Sequence, residues 1–201
     1  MTLFLTRYFL RELSAWVWIT PLALIPFLLI GAATGLPFYF SLLLIIYSCS
    51  VVFSKYNELR SKYSTTLAVA PLPSKMIVQT DFAFLGWVAL CYVSYALGAI
   101  TVLTLLIEKE FIFPTVHQLG FIIACCLALI ALNIGILTLN IAPMNTFMIT
   151  IFLLSMLFNE INLTLFASSY GLHFFFLMLV ITSLSYFSMT SLGKRRGAFK
   201  C

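Results

Sequence analysis

Charge is what this sequence has least of. Only 8% of its 201 residues are charged, where an ordinary soluble protein carries about 25%. The two histidines, His117 and His173, stand far apart in sequence with no second ligand at metal-binding spacing, so no metal site is read from them. Five cysteines are present, Cys49, Cys91, Cys125, Cys126 and Cys201, without a C-x-x-C among them. That excludes a zinc ribbon or a dithiol redox motif. Four of the five lie in apolar runs, where a free thiol behaves as a small hydrophobe. Also missing are H-E-x-x-H, G-x-S-x-G, a Ser/Lys pair at catalytic spacing and paired intramembrane carboxylates, so no catalytic residue is assigned. The phosphate loop G-x-x-x-x-G-K-[ST] is absent too: "SLGKRRG" near the C-terminus lacks the upstream glycine and the following hydroxyl. No cofactor is expected in this chain. Nor does the N-terminus have the layout of a cleaved signal peptide, because Arg7, Arg11 and Glu12 interrupt its apolar pattern.

What the sequence has instead is hydrocarbon. Hydrophobic residues make up 63% of it, in runs of membrane length. A run of about 20 apolar residues crosses a hydrocarbon core, and backbone groups in lipid must be satisfied within a helix or a closed barrel. The runs are continuous rather than alternating, which selects helices. The expected fold is all-α: a polytopic membrane protein with six spans near 14–35, 37–53, 81–106, 117–139, 145–166 and 172–193. Gly35-Leu36-Pro37 turns the chain back between the first two. Between the last two, residues 159–171 mix polar and apolar side chains and suit a re-entrant or interfacial element on the outer side. No internal repeat is visible.

Lysine and arginine orient this arrangement. With both termini on one side, that side holds Arg7, Arg11, Lys55, Arg60, Lys62, Lys75, Lys194, Arg195, Arg196 and Lys200, against three acids. The other side holds Lys109 against Glu108, Glu110 and Glu160. The net charge of +5 is therefore topological, the basic side is expected to be cytoplasmic, and a nucleic-acid partner is not implied. In residues 1–13, Leu3, Phe4, Tyr8, Phe9 and Leu13 approach one helical face, away from Arg7 and Arg11. That pattern suits an amphipathic helix along the inner leaflet; a plain extension of the first span is the alternative.

One polar stretch interrupts the pattern, "KYNELRSKYSTTLAVAPLPSKM" from Lys55 to Met76. Tyr56, Leu59, Tyr63, Leu67 and Ala70 recur at helical spacing, and Glu58 with Lys62 makes a favourable i,i+4 pair. Pro71 stops that helix, Pro73 stiffens the turn, and Ser74 is suited to cap the next helix. Helix, rigid turn, helix is the expectation for this cytoplasmic segment.

A second span, then an acidic-basic helix, then "APLPSKMIV" leading into a third span resembles the permease subunits of ABC transporters of the ABC-2 (type V exporter-like) kind. Among these it looks most like the small permeases of bacterial peptide or antibiotic exporters. The haem-exporter B-type subunit, with a similar length and Pro-Leu-Pro turn, is the second candidate. The resemblance implies a coupling helix that docks on a cytoplasmic ABC ATPase through Glu58, Arg60, Lys62, Tyr63, Pro71, Leu72, Pro73, Ser74 and Lys75. It implies that ATP and Mg bind to that partner chain. A single six-span chain cannot enclose a path, so a second permease copy or a related permease is also implied, within a lipid bilayer, in a bacterial cell membrane. A non-transport membrane protein, such as an immunity or assembly factor, is the alternative from another class.

Other residues carry weaker expectations. Gly31 and Gly35 in "GAATG" offer a small-residue face for helix packing, or simply permit the outer turn. Asn133 and Asn140, seven apart on the fourth span, bond a neighbouring helix or line a path. Glu160 gates release or is solvated at the outer boundary. Asp81, at the inner end of the third span, is expected to snorkel to the interface or serve local structure. A path lined by Leu, Ile, Phe, Ser and Thr favours hydrophobic or amphipathic cargo.

Overall fold

The computed structural model describes residues 2–23, 25–33, 37–62, 73–107, 114–139 and 163–195. All seven regular elements among them are helices: α1 Thr2–Glu12, α2 Ser14–Ala23, α3 Ile25–Ala33, α4 Pro37–Lys62, α5 Ser74–Ile107, α6 Val116–Leu139 and α7 Leu163–Arg195. Four are long and apolar enough to cross a membrane, over Phe38–Arg60, Lys75–Leu106, Val116–Gly135 and Ser169–Ser191. The expected first span falls on α2 and α3. Residue 24, between α2 and α3, lies outside the described residues. Most of the expected fifth span, 145–162, lies outside the described residues.

α5 is the central element: it touches α1, α2, α3, α4, α6 and α7. Its polar side chains tie it across the bundle. The Tyr92 hydroxyl donates to the Val17 carbonyl at 3.1 Å, and Gln79 donates to the Tyr186 hydroxyl at 3.2 Å. The most extensive pairing joins α6 and α7. There a Cβ at Gly171 would overlap the His117 carbonyl and lie 3.2 Å from the Phe121 Cβ, so the two backbones meet where a side chain is missing. Hydroxyls inside the apolar helices accommodate themselves locally: Ser50, Thr101 and Thr104 donate to the carbonyls of Ile46, Leu97 and Ile100, each four residues earlier.

Several boundaries differ from the sequence expectation. α4 does not stop near 53 but runs to Lys62, so residues 55–62 continue the second span rather than starting a separate helix. α5 likewise begins at Ser74. The Pro73 carbonyl accepts from the Met76 and Ile77 amides at 2.8 and 3.4 Å, so Pro73 holds the cap position and Ser74 is the first helical residue. α7 begins at Leu163, which takes residues 163–171 out of any separate outer element and into the last helix.

The N-terminal helix is amphipathic as its pattern predicts, with Thr6 and Phe9 buried and Arg7, Arg11 and Glu12 exposed. Its apolar face is turned onto the protein, however. Phe9 sets its ring edge-on to Tyr56 at 5.1 Å and to Phe84 at 6.3 Å between centroids. Burying that face against α4 and α5 removes the surface an interfacial helix would sink into the acyl boundary. Two i→i−4 bonds, Leu13 to Phe9 and Val17 to Leu13, then carry the chain into α2.

Candidate functional site

The polar chemistry of the described residues gathers where the basic ends of α4 and α5 meet. Arg60 is four residues beyond Tyr56 on α4, so both side chains leave the same face, and α5 presents Asp81 opposite them. The Arg60 guanidinium approaches the Asp81 carboxylate at 3.3 Å. The Tyr56 hydroxyl donates a short hydrogen bond to the same carboxylate oxygen. The Arg60 and Asp81 side chains are only 11% and 9% exposed, so this is a buried ion pair with a phenol attached. The Tyr56 ring stacks on Phe84 at 4.3 Å and 16°, with Phe9 against both. Three helices thus close over one carboxylate.

Of the two expectations for Asp81, the geometry favours local structure over snorkelling: it is held inside by a cation and a hydroxyl, which is how an ionised group is kept in an apolar interior. It also changes the role of Arg60, which points inward to the pair rather than outward to a partner chain.

One residue on, Asn57 faces α6. Its amide donates to the Asn133 side-chain oxygen at 3.2 Å, and Asn133 donates in turn to the Leu129 carbonyl at 2.8 Å. Asn133 thus spends its polar atoms on helix contacts in a site with no exposed surface. Asn140 lies outside the described residues. The Asn57 side-chain oxygen is buried without a partner among them.

The outward face of the same turn of α4 carries the solvated charges. Glu58 accepts from Lys55 at 3.0 Å and from Lys62 at 3.1 Å. The i,i+4 pair expected from the sequence is present, extended by a third member. Lys55 also sits 5.2 Å from the Trp16 ring centroid, a cation–π contact that connects α4 to α2. Pro73 and Lys75 are exposed at the start of α5. Tyr63, Pro71 and Leu72 lie outside the described residues, as do Gly35 and Glu160. Gly31 belongs to α3.

Sequence reasoning passed over Asn57, and it placed Tyr56 on the stripe of a separate helix rather than against a carboxylate. The signal was a single acid, Asp81, inside a membrane-length helix: such a group needs a partner, although Lys75 and Lys62 are nearer along the chain than the Arg60 it meets. Sequence reasoning also passed over the start of α6. There the Thr115 amide donates to the Gln118 side-chain oxygen at 2.9 Å, and the Gln118 amide donates back to the Thr115 hydroxyl at 3.3 Å. This reciprocal capping box was legible as Thr-x-x-Gln behind Pro114. No group of three metal-ligating side chains occurs among the described residues. Compared with known proteins, the chain matches no family model, no curated protein and no solved structure.

Proposed function

We propose that this chain is the permease subunit of an ATP-driven exporter of the ABC-2 kind, moving a hydrophobic or amphipathic molecule such as a peptide, antibiotic or lipid-like compound. Six spans, two of them formed by α2 with α3 and by residues 145–166, place both termini and the segment between residues 62 and 73 on the cytoplasmic side of a cell membrane. A separate ATPase chain binds ATP and Mg and docks on that segment, and a second permease copy or a related permease completes the path.

The observation that carries this reading is the buried tie at the root of the segment. Force crosses from an ATPase to a membrane helix only through something stiff. The segment leaves α4 two residues after Arg60 and enters α5 seven residues before Asp81, and those two side chains are paired at 3.3 Å. A push on it therefore moves two spans together. Among the described residues, the exposed surface left for docking is Glu58 with Lys62, then Pro73 and Lys75; the sequence between them ends in "APLP". Arg60 serves from behind as a brace. The absence of a phosphate loop from this sequence fits a reading in which a separate chain supplies the ATPase.

The test is copurification from the native membrane followed by reconstitution. A bound chain with a phosphate-loop motif is expected, and replacing Pro71-Leu72-Pro73 by Gly-Ser-Gly should leave ATP hydrolysis running while transport fails. A chain that purifies without any ATPase, or a Gly-Ser-Gly variant that still transports at the normal ATP cost, would sink the proposal.

A further inference from the structure

The five cations whose side chains lie on α4 and α1 divide into two kinds. Lys55, Arg60 and Lys62 each face a carboxylate. Arg7 and Arg11 are exposed on α1, and neither has an ion pair among the described residues. They stand one helical turn apart on one face, about 6 Å along the axis. The opposite face of α1 and α2 is closed: Thr6, Phe9, Leu13, Val17 and Thr20 are all buried. The guanidiniums therefore cannot turn inward. Glu12, also exposed, is the one acid beside them.

Continuing along the exposed side, Ser14 follows, then Trp18 at 70% exposure and Leu22 at 56%. The order is guanidinium, guanidinium, hydroxyl, indole, aliphatic. A phospholipid leaflet met from the water has the same order: phosphate, glycerol and interface, acyl chain. Indoles settle at the interface, and guanidinium forks match phosphate oxygens in pairs.

We propose that the outward stripe of α1 and α2 binds an anionic phospholipid, with Arg7 and Arg11 holding the headgroup phosphate and Trp18 lying beside the upper acyl chain. Anionic lipid is favoured over zwitterionic because a headgroup ammonium would offset the phosphate charge that the two arginines meet. Glu12 moderates the preference by repelling the same phosphate. The inference does not rest on the transport reading, since a membrane protein of any activity could carry such a face.

Quenching by brominated lipid tests it on the full chain. The protein has three tryptophans, so Trp16→Phe with Trp87→Phe leaves Trp18 as the sole reporter. In phosphatidylcholine vesicles, a small fraction of lipid is replaced by acyl-brominated phosphatidylglycerol or, separately, by acyl-brominated phosphatidylcholine. The anionic quencher should be preferred by about fivefold for each arginine engaged, the factor expected for a basic residue near a charged leaflet. Arg7→Gln with Arg11→Gln should bring the preference to unity, high salt should lower it, and Glu12→Gln should raise it. Equal quenching by the two lipids in the Trp18 reporter overturns the proposal, as does a preference that survives loss of both arginines. Trp18 silent to both quenchers means that protein covers the stripe, and this also overturns it. The salt and Glu12→Gln measurements keep the test decisive should the double arginine variant fail to fold.

Discussion

Arg60 and Asp81 meet at 3.3 Å, one from the end of a helix that is leaving the apolar core and one from the beginning of a helix that is entering it. Neither charge is left alone, and neither is in water. Breaking such a pair from one side leaves the other charge buried and unpaired, which costs about 3–5 kcal/mol, whereas replacing both with apolar groups is often close to neutral. Arg60→Met and Asp81→Leu should each lower the unfolding midpoint of the purified protein sharply. The double variant should recover much of the loss. A thermodynamic cycle on unfolding in detergent checks this, and additive single effects would argue that the two side chains are not coupled.

Tyr56 contributes through two different parts of its side chain. Tyr56→Phe removes only the hydroxyl donated to Asp81 and should cost about 1–3 kcal/mol, the range for a lost hydrogen bond to a charged group. Phe84→Ala removes the stacked ring and opens a void beneath both Tyr56 and Phe9, for which about 3–5 kcal/mol is expected. Chemical denaturation of the two variants side by side should preserve that order.

The glycines are not equivalent. Gly171→Ala places a methyl into the His117 carbonyl and should force α6 and α7 apart, at about 1–3 kcal/mol as for other overpacked sites. A Cβ at Gly98 meets nothing within 4 Å, so Gly98→Ala should be neutral or stabilise by up to about 1 kcal/mol through helix propensity. Thermal unfolding of both variants is the measurement, and equal behaviour would contradict the close approach at Gly171.

At the start of α6, Thr115→Ala removes one half of the capping box and should cost about 1 kcal/mol. The loss should be local. Hydrogen exchange should quicken at the amides of the first turn, Gln118 included, and leave the centre of α6 protected.

The apolar runs made the four long helices legible, because only continuous hydrophobic length is needed to find them. α2 and α3 together carry the hydrophobicity of the first expected span. The end of α4 was harder to read. Polarity rises at Lys55, but polarity does not end a helix, and the inward side chains Tyr56, Asn57 and Arg60 find partners that let it continue to Lys62. Those partners, Asp81 and Asn133, come from α5 and α6, and pairing across helices is not written in the local pattern of any one of them. Glu58 with Lys62 was readable because both partners lie on one helix four residues apart.

The anchoring of the N-terminal helices sets an order on how the protein can be made. Val17 receives its bond from Tyr92, 75 residues later in the chain, and Phe9 rests on Phe84. At about 5–20 residues per second of synthesis, the first helices wait roughly 4–15 s for the surface that will hold them. During that interval the buried stripe of Phe9, Leu13 and Val17 has no protein to cover it, so the inserting machinery or the lipid must shelter it. The described N-terminal helices therefore cannot reach their place until α5 has been made.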